Sequence, residues 1–410
     1  MSPEPLLEVP IARERVLARF EPLDTLEVTL DYAVGMVVAR DVAAPHDLPR
    51  FDNSAMDGFA LRAADVAGAS ETSPAVLPLA GEVRAGGSAP MALGPGTATK
   101  IMTGAVVPDG ADAVVPVELT EPSNADVRVL ASVAPGEHIR PAGDDVHRGD
   151  VVIESGTELG SGEVALLASF GIARPLVHRR PLVALLVTGD ELVDPDDEPA
   201  PNQIRDSNSV ALRALVAEAG GEVVSYRRVA DTRAAHLEAF GAAAEEADVI
   251  VSSGGVAVGD YDYVKDVVEQ LGSIDLWRVA MQPGKPLVLG RIRDVPFLGL
   301  PGNPVSVHVG FEQFVRPALR KMRGCRELLR PTITARLNGP LSKRPGRLHL
   351  VRVRLTPDGS GWRATPTGAQ GSHIQSSLVD CHGVARFERD FEHLDDGAEV
   401  VVEVWRLPGS

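Results

Sequence analysis

The sequence predicts a multidomain α/β plus β fold, organised around a doubly wound parallel sheet. Between residues 180 and 322, apolar runs of strand length alternate with helical segments. This alternation is typical of a parallel sheet with helices on both faces. The flanking segments contain short β-type runs interrupted by Gly and Pro, which favour β-rich modules. With 410 residues, the chain is too long for one ordinary core.

We expect several domains in chain order. The first residues have helical spacing of apolar side chains over 11–20, and a second helix is expected over 29–38. A strand over 151–153 and a helix over 162–170 are expected to rejoin these helices. The predicted domains are a discontinuous helical N-terminal linker domain (1–43 with 141–178), a β-rich module (44–140), an α/β domain (179–325) and a C-terminal β-barrel domain (326–410).

Within the α/β segment, apolar β-branched runs predict strands and apolar periodicity near 3.6 predicts helices. The predicted strands are 182–187, 222–226, 249–251, 276–279, 287–289 and 297–300, and the predicted helices are 209–219, 232–243, 263–271 and 305–322. After residue 325 the chain returns to β-type alternation over 348–355 and 399–405. That pattern suits a small barrel or a sandwich, and we predict the barrel.

Composition excludes several classes of protein. A formal net charge of −17 argues against nucleic acid or an anionic membrane as a partner. The only two cysteines, Cys325 and Cys381, fit neither a metal-binding spacing nor a disulfide framework, which favours a reducing cytoplasm. The sequence shows no signal-peptide pattern and no apolar run of the roughly 20 residues that a membrane span needs. A soluble, cytoplasmic protein is expected.

The run 249–265 (VIVSSGGVAVGDYDYVK) is the most informative stretch of the chain. A buried strand delivers the chain to Gly254, Gly255 and Gly259, where backbone amides can approach a ligand closely. This arrangement predicts a phosphate-binding turn at the carboxyl end of a strand. The alternative is an ordinary strand-to-helix turn with a solvated acidic rim.

Carboxylates accompany two of the loops that should follow parallel strands. They are Asp190 and Glu191 in the loop 188–191, and Asp260 and Asp262 after the glycines. Carboxylates beside a phosphate would repel it, unless a cation such as Mg²⁺ bridges them. We therefore predict that these four side chains are candidate metal ligands.

Two further loops supply polar groups to the same predicted edge. The loop 299–306 contains Gly302 and Asn303, and it enters a helix in which Ser306 lies in the first turn. Lys285 lies between two prolines in the run 283–286, which stiffen its backbone and favour an anion-binding role. Taken singly, each loop could be a plain structural turn. Asp57, in the turn-rich run 51–59, could contribute only if it reached this crevice.

Together these motifs resemble the molybdopterin molybdenumtransferases, which are MoeA in bacteria and the gephyrin E domain in animals. The resemblance covers nearly the whole chain and is specific, because the motifs occur in order. They are 52–58 (DNSAMDG), 101–104 (IMTG), 188–192 (TGDEL), 252–256 (SSGGV), 283–286 (PGKP), 299–304 (GLPGNP), 371–374 (GSHI) and the pair Ser376 and Ser377.

The resemblance implies insertion of molybdate into adenylated molybdopterin with release of AMP, the last step of molybdenum cofactor biosynthesis. It also implies Mg²⁺ as cofactor and a homodimer whose active site is shared between subunits. Contact with a molybdopterin adenylyltransferase is expected as well. By motif, Asp57, Thr103 and Asp145 match contributors from the partner subunit. Acidic positions important for activity correspond to Glu191, Asp231 and Asp262, and positions linked to molybdate or cofactor phosphate correspond to Lys285, Ser306, Arg347 and Ser376.

One position departs from the family pattern. Many members have a lysine where this chain has Gln282, so one cation is lost beside Lys285. We expect altered oxyanion affinity or metal preference, with activity retained, because an amide still donates hydrogen bonds. Two alternatives remain: a non-catalytic molybdopterin-binding carrier or scaffold, and a nucleotide enzyme resembling the adenylyltransferases or a nucleotide pyrophosphatase.

Overall fold

The computed structural model describes residues 6–87, 91–256 and 263–409, of which the side chains of Leu276 and Trp277 are left aside. The chain forms two compact units. The first consists of Met1–Arg40, Ser155–Ala165 and Ala173–Ser410, and the second of Asp41–Glu154 and Leu166–Ile172.

The N-terminal part of the first unit contains less helix than the sequence predicted. Its elements are α1 (Val9–Leu17), β1 (Thr25–Glu27), α2 (Leu30–Ala33) and β2 (Val37–Val38). The prediction of one helix over 29–38 is wrong beyond Ala33. Gly35 adopts a φ of +74°, and its amide donates to the carbonyl of Leu159, which is distant in sequence. A left-handed glycine is a common helix terminator, so the chain turns there into a strand.

The second unit consists mainly of β-strands. Its strands are β3 (Val42–Ala43), β4 (Asn53–Ser54), β5 (Gly58–Leu61), β6 (Ala75–Val83), β7 (Ala98–Ile101), β8 (Ala113–Pro116), β9 (Thr120–Pro122), β10 (Asp126–Val129), β11 (Ile139–Arg140) and β12 (Val151–Ile153). Six of them form a sheet in the order β8-β5-β7-β6-β10-β9. Apolar side chains on one face, including Phe59, Leu61, Val115 and Val127, form its core.

The region around the N-terminal strands is discontinuous in sequence, although the strand expected over 151–153, β12, pairs with β3 within the second unit and does not rejoin the N-terminal helices. Helix α3 (Ser161–Ser169) and strand β13 (Leu176–His178) follow the β-rich module. Strand β13 lies between β1 and β2 and pairs antiparallel with both. Residues near 177 therefore complete a small sheet that begins more than a hundred positions earlier.

The α/β part contains a six-stranded sheet in the order β17-β14-β18-β22-β21-β19. Its elements are β14 (Leu182–Thr188), β15 (Leu192–Val193), β16 (Ile204–Arg205), α4 (Asn208–Glu218), β17 (Glu222–Val229), α5 (Arg233–Glu246), β18 (Val249–Ser253), α6 (Tyr263–Leu271), β19 (Gly272–Arg278), β20 (Met281–Gln282), β21 (Pro286–Ile292), β22 (Val295–Leu300), α7 (Pro304–Gly310) and α8 (Arg316–Met322). A π-helical turn, Phe311–Val315, joins α7 to α8.

Helices cover both faces of this sheet. On one face Leu185 and Val251 pack with α4 and with the helix that runs from 304 to 322, and on the other Leu186 and Ile250 pack with α5 and α6. Strands β17, β14, β18 and β22 are mutually parallel. The last two strands, β21 and β19, add antiparallel at one edge, because the short links between them leave no room for a crossover helix.

The C-terminal part is a closed barrel. Its strands are β23 (Thr332–Leu337), β24 (Leu341–Ser342), β25 (Leu348–Asp358), β26 (Gly361–Pro366), β27 (Gly383–Phe387), β28 (His393–Leu394) and β29 (Glu399–Val404). Five of them form the ring β25-β26-β23-β29-β27, which closes because β27 also pairs with β25. The long strand β25 additionally pairs with β20 of the α/β part through Gln282 and His349.

None of the helices within 6–87, 91–256 and 263–409 combines the length and the apolar character required to cross a lipid bilayer.

Candidate functional site

A cleft of about 1040 Å³ opens at the carboxyl edge of the α/β sheet. Strands β14, β18 and β22 are parallel neighbours, so the three loops that follow them start at the same edge. Loop residues Glu191, Gly254 and Gly302 all line the cleft. Ligands of open α/β sheets bind at this position. The predicted meeting of three loops is therefore present in the structure.

Most of the sequence-predicted residues of the first unit lie in this cleft. The α/β part contributes Glu191, Asp231, Gly254, Gly255, Lys285, Gly302, Asn303 and Ser306, and the barrel part contributes Arg347. The residues come from segments up to about 150 positions apart, and the fold brings them to a single cavity. Their roles stay predictions.

The glycine turn after β18 needs its glycines. Gly254 and Gly255 have φ values of +92° and +63°, which L side chains rarely adopt. A Cβ on Gly254 would lie 2.7 Å from the hydroxyl oxygen of Thr188, and one on Gly255 would lie 2.6 Å from a methyl carbon of Val264. The turn is thus pressed against the end of β14 on one side and α6 on the other. Backbone rather than side chain faces the cleft here.

The helix that follows β22 begins as expected, with Pro304 at its first position and Asn303 as the preceding residue. Ser306 is buried and lines the cleft. The Asn303 side chain donates to the Ser372 hydroxyl oxygen at 3.1 Å, and the Val305 amide donates to the Ser372 carbonyl at 3.2 Å. A residue of the barrel therefore satisfies the first turn of this helix.

Carboxylates lie on one side of the cleft. The Asp231 amide donates to the Asp190 carboxylate at 3.1 Å, and the Asp190 amide donates to Asp231 at 3.4 Å. These reciprocal bonds fix the loop after β14 to the loop after β17. The carboxylate of Glu191 folds over Gly189, where an added Cβ would overlap it. Asp190 itself is not among the residues that line the cleft.

The described residues contain no group of three or more His, Cys, Asp or Glu side chains suited to hold a metal ion. Two of the four predicted metal ligands, Asp260 and Asp262, lie outside the described residues, as does Gly259. Of the other two, Glu191 faces the cleft and Asp190 supports Asp231.

Cationic and amide groups line the cleft as well. Lys285 follows Gly284, whose φ is +96°, and its carbonyl accepts the Val279 amide at 2.9 Å. Gln282, the departure from the family pattern, also lines the cleft, as does Arg347 from the start of the barrel. Positive charge and amide donors of this kind suit a compact oxyanion or a phosphate.

Of two nearby serines, only the one that the sequence analysis did not select lines the cleft. Ser376 is exposed in the short helical turn Gln375–Leu378 and does not line the cavity, whereas Ser372 does. The motif 371–374 pointed to this loop, but the motif alone does not tell which hydroxyl faces the cavity.

Sequence reasoning also missed Asp206 and Asn208, which line the cleft before and in α4. Asn208 donates to the Gly302 carbonyl at 2.7 Å and to the Ser253 hydroxyl at 3.0 Å, so it joins two of the three loops. Buried Asp206 accepts the Tyr226 hydroxyl at 2.8 Å and the Ser209 amide. Burial and this carboxylate raise the pKa of Tyr226. The sequence gave no signal for either residue, because isolated polar residues are common at the start of a helix such as α4.

The second unit contains Asp57, Thr103 and Asp145. The Asp57 carboxylate accepts both the amide and the hydroxyl of Thr103 at 2.7 Å. These two donors lower the pKa of Asp57, with the amide as the larger cause. Asp145 is exposed, and its amide donates to the Leu48 carbonyl at 3.0 Å.

Known families and relatives match the chain along most of its length. Residues 7–171 match the MoeA N-terminal region (domain I and II), 184–321 the family described as "Probable molybdopterin binding domain", and 334–405 the MoeA C-terminal region (domain IV). Molybdopterin molybdenumtransferase 2 of Mycobacterium tuberculosis is 38% identical over 388 residues, which are 93% of this chain and 95% of the relative.

The chain belongs to the MoeA family of molybdopterin molybdenumtransferases.

Other MoeA proteins show the same extent of similarity. The molybdopterin molybdenumtransferase of Haemophilus influenzae is 35% identical over 404 residues, covering 97% of this chain and 98% of the relative. A crystal structure of the molybdopterin biosynthesis MoeA protein from Pyrococcus horikoshii OT3 superimposes with a TM-score of 0.84 at 30% identity, covering 98% and 100% of the two chains. The predicted family and fold class are confirmed.

Proposed function

We propose that this MoeA-family protein inserts molybdate into adenylated molybdopterin and releases AMP, the last step of molybdenum cofactor biosynthesis. The observation that carries the proposal is the composition of the cleft. Lys285, Arg347 and Ser306 offer positive charge and a hydroxyl, while Glu191 and Asp231 offer carboxylates in the same cavity. Such a cavity suits an anionic substrate whose charge is partly balanced by a cation.

The cationic residues bind and orient the two anions of the reaction. Lys285 and Arg347 attract molybdate or the substrate's phosphates, and Ser306 contributes a hydrogen bond. Gly254, Gly255, Gly302 and Asn303 bring backbone amides and short side chains close to the phosphates. Gly259, outside the described residues, is proposed as a further phosphate contact. Ser376, exposed beside the cleft, remains a proposed contact that would need the substrate to extend beyond the cavity.

The donor set fits Mg²⁺. This ion prefers oxygen ligands and is often held by one or two carboxylates together with substrate phosphates. We propose Glu191 as a ligand, together with Asp190, Asp260 and Asp262; to reach the ion, the Asp190 carboxylate would have to leave the Asp231 amide and turn towards the cleft. When bound, the ion would neutralise pyrophosphate charge. Asp190 and Asp231 hold each other's loops in position through their amides.

We further propose that the protein is a homodimer with a shared active site. Asp57, Thr103 and Asp145 would then serve the cleft of the partner subunit. Asp57 is exposed, and the hydrogen bonds from Thr103 favour its ionised form, which suits contact with a bound cation or with the substrate.

The four-domain division stated above is part of the same proposal, as is contact with a molybdopterin adenylyltransferase that would supply the adenylated substrate. A cytoplasmic location fits the two cysteines, which are free and buried.

The deciding experiment is AMP release from the purified protein, given adenylated molybdopterin, Mg²⁺ and molybdate, with tungstate in a parallel reaction. Molybdate-dependent AMP release is expected. The ratio of the two oxyanions would show whether Gln282 changes the choice of metal. A reaction with unadenylated molybdopterin and ATP tests the adenylyltransferase alternative.

If the adenylated substrate binds but neither oxyanion gives AMP, the transferase proposal is wrong and a carrier or scaffold role is favoured. If AMP forms equally without any oxyanion, the protein is better described as a nucleotide pyrophosphatase.

A further inference from the structure

Among the described residues, Arg352 has the largest fully buried side chain. It lies on β25, inside the barrel part, and within the described residues no carboxylate pairs with it. A buried cation without a counter-ion is costly, and burial lowers the pKa of Arg352 to about 10. The hydrogen bonds that the guanidinium makes must offset part of this cost.

The Arg352 guanidinium holds one segment, residues 369–373, which we call the barrel loop. It donates to the Gly371 carbonyl at 3.1 Å, to the Ala369 carbonyl at 3.4 Å and to the Ser377 hydroxyl at 3.0 Å. The Arg352 amide also donates to the Gln370 side chain at 2.9 Å. Three consecutive residues of the loop, Ala369–Gly371, and Ser377 just beyond its end are therefore tied to one buried residue.

The barrel loop forms a wall of the cleft, since Gln370, Gly371, Ser372 and His373 all line it. It also reaches the opposite side. Ser372 accepts from the Asn303 side chain through its hydroxyl and from the Val305 amide through its carbonyl. Ser306 follows in the same helical turn. Arg352 is thus connected to the start of this helix: it binds the Gly371 carbonyl, and the next residue, Ser372, binds Asn303 and Val305, of which Val305 immediately precedes Ser306.

We propose that Arg352 is a positioning residue of the cleft: it holds the barrel loop so that Ser372 fixes the start of the helix carrying Ser306. This inference rests on the transferase function proposed above. Arg352 is not among the residues that line the cleft, and it acts through the barrel loop that it holds, chiefly through Gly371 and its neighbour Ser372. Displacement of a site residue by about 1 Å can lower activity by about 100-fold, so a support of this kind has a measurable effect.

Steady-state AMP release with the full-length protein tests the proposal. Arg352→Met keeps an apolar stem of similar length and removes all guanidinium donors. We expect kcat/KM to fall by about 10- to 100-fold. Arg354→Met is the matched control, because Arg354 lies two residues along the same strand but is exposed in an ion pair with Asp380. Its kcat/KM should stay within about twofold of the unmodified protein.

A double-mutant cycle separates positioning from simple loss of stability. Ser372→Ala removes the hydroxyl that receives Asn303, and we expect about a tenfold fall in kcat/KM. If Arg352 acts through Ser372, the double variant should be about as active as Arg352→Met alone, because the two changes break the same connection. Assays well below each variant's Tm ensure that all of the protein is folded.

Additive losses in the cycle, or unchanged kcat/KM in Arg352→Met, would overturn the inference while leaving the proposed function intact. If Arg352→Met does not fold, Arg352→Lys and Ser372→Ala carry the test. Arg352→Lys should raise amide hydrogen exchange in 369–377 and lower kcat/KM, and Ser372→Ala should lower kcat/KM with Tm unchanged. Full activity in both would equally refute the role. Failure of AMP release by the unmodified protein would instead count against the transferase function.

Discussion

Lys285 contributes a fixed positive charge to the cleft from a stiff backbone segment, between Gly284 and Pro286. Lys285→Ala should retain the fold, because the backbone bond to Val279 does not involve the side chain. We expect AMP release to fall by about 100-fold or more, since the loss of one aligned donor to a charged group commonly has that size of effect. Lys285→Arg, which keeps the charge, should retain part of the activity. Turnover unchanged in Lys285→Ala would contradict the assignment.

Asp57 illustrates how a local bond sets a charge. Thr103 lowers the pKa of this carboxyl group, so Asp57 stays ionised at neutral pH and takes up a proton only below its ordinary range. Asp57→Asn can still accept both Thr103 bonds, but the charge is lost. We expect unchanged Tm and a large fall in turnover.

The pH dependence provides a second check on Asp57. Because its charge does not change between pH 5 and 8, Asp57→Asn should lower the rate across that range by a constant factor. A pH–rate profile that changes shape in the variant would contradict this account. Stability owed to the Thr103 bonds should be lost only as the pH falls below the ordinary carboxyl range.

At this scale, sequence could predict residues that immediately follow strands, since parallel strands share a carboxyl edge. Gly254 and Gly302 are examples. It could not predict Asn208 or Ser372, because their importance comes from bonds to loops about 70 to 95 positions away. The same limit explains the choice of exposed Ser376: two serines of one short segment differ only in orientation.

The glycine turn after β18 makes the clearest prediction for an element. Gly255→Ala meets both an unfavourable φ of +63° and a methyl group of Val264 at 2.6 Å. Gly359 has a matching φ of +62° with no atom within 4 Å of an added Cβ. Chemical denaturation should therefore show a loss of about 1 kcal/mol for Gly359→Ala and about 2–4 kcal/mol for Gly255→Ala.

Activity should distinguish the two glycine variants further. Gly359→Ala should release AMP at the unmodified rate, and Gly255→Ala should be impaired even when fully folded, because the turn lines the cleft. Equal destabilisation by the two substitutions would show that the structure accommodates a methyl group at position 255 without a clash with Val264.

Strand β25 contains a buried histidine with its own pH signature. Burial, then the cations Arg352, Lys343 and Arg347, lower the pKa of His349 to about 4 from an ordinary value of 6.5. The unfolded chain therefore binds a proton that the folded chain does not, and stability is lost as the pH falls from 6.5 to about 4. The free energy of unfolding should decrease by up to about 3 kcal/mol over this pH range.

His349→Phe tests this directly, since the histidine ring already stacks on Phe387 with centroids 6.5 Å apart. Unfolding free energies at pH 8 and pH 5 should differ less in the variant than in the unmodified protein. An identical difference in both would mean that other groups cause the acid sensitivity.

Element boundaries show where sequence patterns reach their limit. The parallel strands and their helices could be predicted because apolar runs and helical periodicity alternate clearly. The end of α2 could not, because Gly35 terminates the helix through a bond to the distant Leu159. The predicted helix over 305–322 is present, but its π-helical turn, with Glu312 and Gln313 buried, has no signature in the apolar pattern.

For the whole molecule, family and fold class could be predicted from motifs in order along the chain. The homodimer is implied by the resemblance alone, because an interface depends on surface shape and not on local pattern. The proposed sharing of the site between subunits places Asp57 of one chain beside the Lys285 of another. A site shared in this way allows two inactive subunits to form one intact site, which a site within a single chain does not.

Two inactive variants should restore activity to each other if the site is shared. In a C2 dimer, a mixture of Asp57→Asn and Lys285→Ala subunits forms heterodimers with one damaged and one intact site, so random pairing should regain roughly a quarter of the unmodified AMP release. The control is Lys285→Ala mixed with Ser306→Ala, whose changes lie in the same cleft, so that each heterodimer site keeps one defect. No recovery in the first mixture, after subunit exchange is verified with tagged chains, would mean that each subunit works alone. Recovery in both mixtures would show that the cleft itself is assembled from two chains.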